Sequence, residues 1–233
     1  MYALTSTDTL RLWEQAQMQR PPERSRALVA AASPGDGETV LRALPLGTCH
    51  ARILALRRAT LGPLMPCEAR CPACHEKMEF NVSADGLLEN AARARATVDV
   101  EHDGTTFTFR PPTLGDVLDA QHHDDPEAFL ARRCFVDPEG AEVAAEVVRE
   151  AEDKLFDADP LALVVLGLAC PACGADWRET LDVAGYVLHE LGRQAQALLY
   201  DIHRLACAYG WTEGDVLALS PWRRRQYLAW AEA

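Results

Sequence analysis

The chain has 233 residues, of which 48% are hydrophobic and 25% charged, a composition that predicts a water-soluble globular protein of one or two domains. Its 35 acidic and 23 basic side chains give a net charge of −12, which disfavours general binding to nucleic-acid backbones. The longest apolar run, Leu161 to Ala169, is too short to cross a bilayer, and no secretory signal pattern opens the sequence. We therefore expect a cytoplasmic protein that does not contact membranes.

The first predicted region, residues 1–62, has a helical pattern. Leu10, Leu12 and Trp13 recur at helical spacing, and the pair Pro21-Pro22 ends that segment. Two further helices are predicted, over residues 23–32 and 46–61.

The second predicted region, residues 63–183, changes its period. Met78, Phe80 and Val82 alternate with polar residues, which predicts a half-buried strand. Segments 98–101 and 105–110 predict a β-hairpin, and segments 114–120, 126–134 and 141–156 predict helices. The hairpin and these helices form a predicted insertion over residues 95–160.

The third predicted region, residues 184–233, consists of a long helix and a helical tail. Apolar residues between positions 182 and 209 step by three and four, as in a heptad seam: Leu188, Leu191, Ala195, Leu198, Ile202, Leu205 and Tyr209. Ser220-Pro221 predicts the beginning of a final helix that runs to the terminus.

Two cysteine pairs provide the strongest chemical signal. Cys71-Pro72-Ala73-Cys74 is repeated as Cys170, Pro171, Ala172 and Cys173, and each pair precedes a strand-like segment. A two-residue spacing lets one turn direct both sulfurs at one ion, and two such turns supply the four ligands of a structural Zn²⁺. The pairs are separated by residues 75–169, whereas ribbon motifs usually have roughly fifteen to twenty residues there. We therefore predict an α+β, mostly helical fold around a zinc ribbon of four cysteines that is split by the insertion.

Other interpretations of the cysteines stay open. A CxxC pair also occurs in redox enzymes, although such a motif usually stands once and at a helix N-terminus. Cys67 and His75 lie near enough in sequence to replace a ligand, and Cys49, Cys134 and Cys207 fall in helical patterns typical of small core residues. The sequence contains no nucleophile elbow, phosphate loop or HExxH motif, and four thiolates leave no open position on zinc, so we do not expect an enzyme.

The C-terminal tail concentrates aromatic and arginine residues. These two residue types are enriched at the centres of protein interfaces. We therefore predict a partner-binding segment over residues 220–233, with the following contact residues: Trp222, Arg223, Arg224, Arg225, Tyr227 and Trp230. In the alternative interpretation, the aromatic rings cover the core of the long helix.

Several motifs together resemble one known family. They are Leu56-Arg57-Arg58-Ala59-Thr60-Leu61-Gly62, Phe109-Arg110-Pro111-Pro112-Thr113 followed by Asp116, the two Cys-Pro-x-Cys pairs, His203-Arg204-Leu205-Ala206, Tyr209-Gly210-Trp211-Thr212-Glu213, Leu217-Ala218-Leu219-Ser220-Pro221 and Arg223-Arg224-Arg225-x-Tyr227-Leu228. From about Arg24 to Leu228 the order of features resembles the T-even-type phage baseplate proteins, also called baseplate hub assembly chaperones, of myophages and contractile injection systems.

This resemblance implies an assembly factor or minor component of a phage-like baseplate, without a small-molecule substrate. Its expected partners are baseplate or hub proteins, and it is expected in the cytoplasm or in the particle. The alternative is a zinc-ribbon nucleic-acid-binding or regulatory protein, because the arginine cluster lies beside aromatic residues that can stack on bases.

Overall fold

A computed structural model describes residues 3–136 and 143–231 of the chain. It confirms an α+β, mostly helical fold in which the strands form three separate two-stranded antiparallel sheets. Among the described residues, no helix combines the length and the apolar character needed to cross a membrane.

The described part of the N-terminal region, residues 3–62, contains four helices. They are α1 (Ser6–Gln17), α2 (Pro21–Ala32), α3 (Glu38–Arg42) and α4 (Leu46–Leu61). Thr5 caps α1 in a capping box with Asp8, which satisfies backbone N–H groups that would otherwise lack partners. Pro21 occupies the first turn of α2, where a missing N–H costs nothing, so the proline pair begins a helix as well as ending the previous one.

Two β-hairpins carry the cysteine pairs at their turns. Strands β1 (Leu64–Arg70) and β2 (Lys77–Ser83) form the first hairpin, which α5 (Ala84–Ala91) follows directly. The second hairpin joins β5 (Val164–Ala169) and β6 (Asp176–Leu181). Sequence patterns did not predict β1 or α5. In β1, Met65 is the one fully buried residue and Pro66 interrupts the strand pattern, so the alternation is too weak to recognise.

The insertion forms a unit with a small core of its own, although its Leu114 and Leu118 belong to the main core. It contains the hairpin of β3 (Val98–His102) and β4 (Thr105–Phe109), then α6 (Leu114–Ala120), α7 (Pro126–Cys134) and α8 (Ala145–Ala158). Helix α8 was predicted from residue 141, but residues 143 and 144 are not helical, and 141 and 142 lie outside the described residues. The core of this unit is formed by Val98, Val100, Phe109, Val147, Ala151 and Ala158.

The 27-residue helix α9 (Val183–Tyr209) packs along the N-terminal helices and ends at Gly210, which has the left-handed conformation. The main core combines α9 residues such as Leu191 with Ile53 of α4, Met65 of β1 and Val164 of β5. A second cluster joins Ile202 and Leu205 to the C-terminal helices α10 (Glu213–Leu217) and α11 (Pro221–Ala231). Leu191, Ala195, Ile202 and Leu205 are buried, Leu188 and Leu198 are half-buried, and Tyr209 is 39% exposed. The seam of α9 is therefore largely an intramolecular core.

A buried carboxylate ties the end of the insertion to α4. Asp159 is 4% exposed, and its Oδ2 accepts a hydrogen bond from the Gly47 N–H at 2.9 Å, in the first turn of that helix. A Cβ at position 47 would lie 1.6 Å from Asp159 Oδ1, so any other residue there would displace this carboxylate. The contact joins residues 112 positions apart and holds the insertion against the N-terminal helices.

Candidate metal centre

The two cysteine turns have the same backbone geometry. In the first, the Cys71 N–H donates to the Glu76 carbonyl at 3.0 Å and the His75 N–H donates to the Cys71 carbonyl at 2.9 Å. In the second turn, Cys170, Gly174 and Ala175 repeat both bonds at 2.9 Å each. The equivalent positions His75 and Gly174 have φ values of 61° and 74°. Each hairpin therefore ends in a tight knuckle that directs its two thiols to the same side.

The structure brings the four predicted ligands together. The Sγ atoms of Cys71, Cys74, Cys170 and Cys173 all lie within 4.8 Å of one another. Cys71 Sγ is 3.6 Å from Cys173 Sγ, and Cys74 Sγ is 3.6 Å from Cys170 Sγ. Tetrahedral Zn²⁺ with Zn–S bonds near 2.3 Å requires sulfurs about 3.8 Å apart, so the spacing suits one such ion. All eight cysteines of the chain are free thiols.

Burial follows an approximate twofold arrangement across the cluster. The first cysteine of each pair, Cys71 or Cys170, is buried, whereas the second, Cys74 or Cys173, is exposed. Each buried sulfur lies beside the exposed sulfur of the other knuckle. A cation at the centre would therefore hold both hairpins through one inner and one outer ligand each.

The electrostatics of the cluster favour a bound cation. Hydrogen bonds from the backbone, first from the Cys74 N–H, lower the pKa of the Cys71 thiol to about 7. The Glu76 N–H lowers the pKa of Cys74, but the neighbouring Cys173 and Cys170 thiols raise it, with the net result at about 12. Without a cation one thiolate therefore suppresses ionisation of the next, since like charges this close repel. A divalent cation removes that penalty, and four thiolates are a donor set that zinc prefers.

Neither Cys67 nor His75 belongs to the cluster of candidate ligands among the described residues. Cys67 lies in β1, opposite Phe80, and it lines a groove that Tyr186 and Glu190 of α9 also line. His75 occupies the left-handed position of its knuckle, where its backbone rather than its imidazole is used. Cys49 and Cys134 are buried as predicted, and burial raises the pKa of their thiols to about 12 and about 11. Cys207 differs from the prediction because it is exposed on α9.

A buried ion pair fixes the first hairpin to the long helix. The guanidinium of Arg57 binds both carboxylate oxygens of Glu190, at 2.8 and 2.9 Å, and donates to the Leu64 carbonyl at 2.6 Å. Tyr186 donates to the Pro66 carbonyl at 2.8 Å. Arg57 is 2% exposed, so one partner alone would leave an uncompensated buried charge. The sequence does not reveal this pair, because Glu190 is 133 residues away from Arg57.

The motif that contains Arg110 and Asp116 also has a structural role. Asp116 is 1% exposed and accepts hydrogen bonds from Arg110, at 2.7 and 3.2 Å, and from Arg133 at 3.0 Å. The same carboxylate completes the capping box of α6 with Thr113. These contacts join the end of β4, α6 and α7 into one unit.

Helix α11 divides the predicted docking residues into two groups. Trp222 and Trp230 are 64% and 63% exposed, and Arg223 and Arg225 are exposed beside them. The predicted set must be corrected at Arg224, which is 3% exposed and donates to Ser6 Oγ at 3.0 Å, where no partner can reach it.

The other side of α11 closes the intramolecular core. Tyr227 is half-buried and packs edge-on against Trp211 and Trp230, with ring centroids 4.8 and 5.4 Å apart. Tyr209 stacks on Trp211 at 4.8 Å and completes this aromatic cluster. The tail therefore covers the end of α9 with one face and exposes two indoles and two guanidiniums on the other.

Comparison with known proteins does not identify a family. No family model matches the chain, and neither does any curated protein or solved structure. The resemblance to phage baseplate proteins therefore stays a prediction from the sequence motifs.

Proposed function

We propose that the chain is a non-enzymatic assembly factor, or minor component, of a phage-like contractile-tail baseplate, stabilised by one structural Zn²⁺. The metal site is inferred from four thiols whose sulfur atoms lie within 4.8 Å of one another. Two equivalent knuckles present these thiols. In this proposal each hairpin supplies half of a zinc ribbon, and the ion closes the long loop of residues 75–169.

The docking part of the proposal rests on α11. Its outer face exposes Trp222 and Trp230 beside Arg223 and Arg225, although most large apolar side chains of the described chain are buried. Tryptophan and arginine dominate the energetics of many protein interfaces. This face is proposed to bind a baseplate or hub protein, with the indoles as anchors and the two arginines against an acidic rim.

The zinc part is tested by elemental analysis of the purified chain. About one zinc per chain is expected, and Cys71→Ser or Cys173→Ser should abolish stoichiometric binding. Cys67→Ser and His75→Ala serve as matched controls that should retain the metal. Loss of zinc in either control would move the ligand set, and a metal-free native chain would refute the site.

The assembly part is tested by co-expressing the tagged chain with the products of its neighbouring genes. A baseplate or hub protein should co-purify with the unaltered chain, and Trp222→Ala/Trp230→Ala should reduce its yield at least ~10-fold. Exposed Tyr200 provides the control Tyr200→Ala, which should bind the partner normally. If the unaltered chain and both variants recover equal amounts of the partner, α11 is not the docking element.

A zinc-ribbon nucleic-acid-binding protein is the second candidate, because the exposed indoles and guanidiniums of α11 suit stacking on single strands. The net charge of −12 opposes it. Salt-dependent retention on single-stranded DNA, lost in Arg223→Glu/Arg225→Glu, would favour this candidate, whereas flow-through would favour the assembly factor.

A further inference from the structure

The insertion contains an apolar groove that none of the residues described by the structure fills. The groove lies between α7 and α8, above Phe109 of β4, and has a volume of about 330 Å³. Leu130, Val148 and Leu155 contribute to its walls. At its edge, Phe156 is 46% and Leu163 47% exposed. This exposure indicates an apolar surface that a further chain segment would cover with a gain in free energy.

The polar residues that line this groove are all carboxylates: Glu127, Glu152 and Asp159. Asp159 is buried and accepts a hydrogen bond from the Gly47 N–H, whereas Glu127 on α7 and Glu152 on α8 are exposed. The groove thus combines an apolar floor with two carboxylates, one from each helix. A segment that fills it must present large apolar side chains next to cationic ones.

We propose that the occupant is helix α11 of a second copy of this chain. Its outer face presents that combination, with Trp222 and Trp230 for the apolar floor and Arg223 and Arg225 for Glu127 and Glu152. Two copies of net charge −12 repel each other over most of their surfaces. The contact therefore depends on this local pairing of opposite charges, which also fixes the orientation of the helix in the groove.

This self-association goes beyond the proposed function and uses the same face of α11. A helix that occupies the groove of another copy cannot bind a baseplate partner at the same time. The baseplate partner would therefore displace the second copy. Because the groove lies in the insertion, it can be altered without changing the docking helix.

The test is sedimentation equilibrium of the purified full-length chain with two charge-reversal variants. The groove variant is Glu127→Lys/Glu152→Lys, and the helix variant is Arg223→Glu/Arg225→Glu. All four side chains are exposed, and circular dichroism verifies that both variants fold. The unaltered chain should associate reversibly, and each variant alone should associate at least ~10-fold more weakly. An equimolar mixture should recover association, because the unaltered helix of the groove variant meets the unaltered groove of the helix variant.

The matched control for the groove variant is Glu14→Lys/Glu101→Lys, which adds the same positive charge at exposed positions outside the groove and should associate no more weakly than the unaltered chain. A chain that stays monomeric at all concentrations overturns the proposal, as does a mixture that fails to associate. Association lost only in the helix variant would place α11 in another site and also overturn it. The groove variant should still co-purify with a baseplate partner, so failure of self-association and failure of the proposed function are distinguishable.

Discussion

His75 and Gly174 occupy the same left-handed position in the two knuckles, but this conformation is strained for histidine and not for glycine. The left-handed backbone conformation is unfavourable for a residue with a Cβ, whereas glycine adopts it freely. No heavy atom lies within 4 Å of a Cβ built at Gly174, so the effect of substitution there is conformational rather than steric. The two positions therefore compare the same backbone state with and without a side chain.

Gly174→Ala should lower the free energy of unfolding by roughly 1–2 kcal/mol, because alanine must adopt a positive φ. His75→Gly should not destabilise the chain, since relief of that strain offsets the greater backbone entropy of glycine when unfolded. Both variants should bind as much metal as the unaltered chain. Denaturant unfolding together with metal analysis checks this, and a strongly destabilised His75→Gly chain would contradict it.

Asp116 should make stability depend on pH in the acid range. Burial by itself raises the pKa of this carboxyl, but hydrogen bonds from Arg110 and Thr113 outweigh burial and lower the pKa to about 2, from an ordinary value of 3.8. The stabilisation is therefore complete above pH 4 and is lost as the pH falls through 2. Its magnitude is about 2 kcal/mol.

Asp116→Asn is the variant that isolates this contribution. It should be less stable at pH 7, because Arg110 and Arg133 lose their charged partner, and its stability should fall less between pH 4 and pH 2. Both chains lose any bound metal over the same acid range, so the difference between their unfolding free energies reports Asp116. Parallel pH profiles for the two chains would contradict the assignment.

At the scale of elements, α11 has an inner face that stabilises the fold and an outer face that is exposed among the described residues. Tyr227 and buried Arg224 hold the helix to α9 and α1, whereas Trp222 and Trp230 are largely exposed, although Trp230 also contacts the Tyr227 ring. The helix is thus anchored by the residues that are unavailable to a partner. Substitutions on the two faces should separate folding from binding.

Tyr227→Ala should cost roughly 2 kcal/mol, since it removes a half-buried ring that packs on Trp211. Trp222→Ala should change stability by less than about 0.5 kcal/mol, because the indole is 64% exposed. Thermal melts of both variants check the contrast. Equal destabilisation would mean that Trp222 contributes to the core and would weaken its assignment as a docking anchor.

For the whole molecule, the two cysteine hairpins are not isolated from the rest of the fold. Met65 of β1 and Val164 of β5 are buried in the main core together with the N-terminal helices and α9. Release of the metal should therefore affect the main unfolding transition rather than a separate local one. Structural zinc contributes roughly 10–16 kcal/mol of apparent binding free energy, which exceeds the net stability of most domains.

Addition of a strong chelator should lower the melting temperature of the main transition, and Cys173→Ser should do the same without chelator. Cys207→Ser is the matched control, because this exposed thiol lies outside the cluster and its replacement should leave melting and metal content unchanged. Calorimetry with and without chelator is the measurement. An unchanged melting curve after metal removal would show that the ion does not support the fold.

Local sequence patterns were sufficient to predict most helices and the clustering of the cysteines. Helices α4, α6 and α7 have the predicted bounds, because capping residues, prolines and apolar spacing act over a few positions. The repeat Cys-Pro-Ala-Cys predicts one site because two identical turns supply the four ligands that a tetrahedral ion requires. Strand β1 was missed because its signal depends on pairing with β2 rather than on its own alternation.

Only the tertiary structure decided which charged and aromatic residues are interior. Arg57 and Glu190, or Gly47 and Asp159, meet across more than a hundred residues, and no local pattern encodes such a pair. The same holds for Arg224, which is buried between two exposed arginines because α11 turns that one position towards α1. Helical spacing determines which side chains share a face, but packing determines which face meets the core.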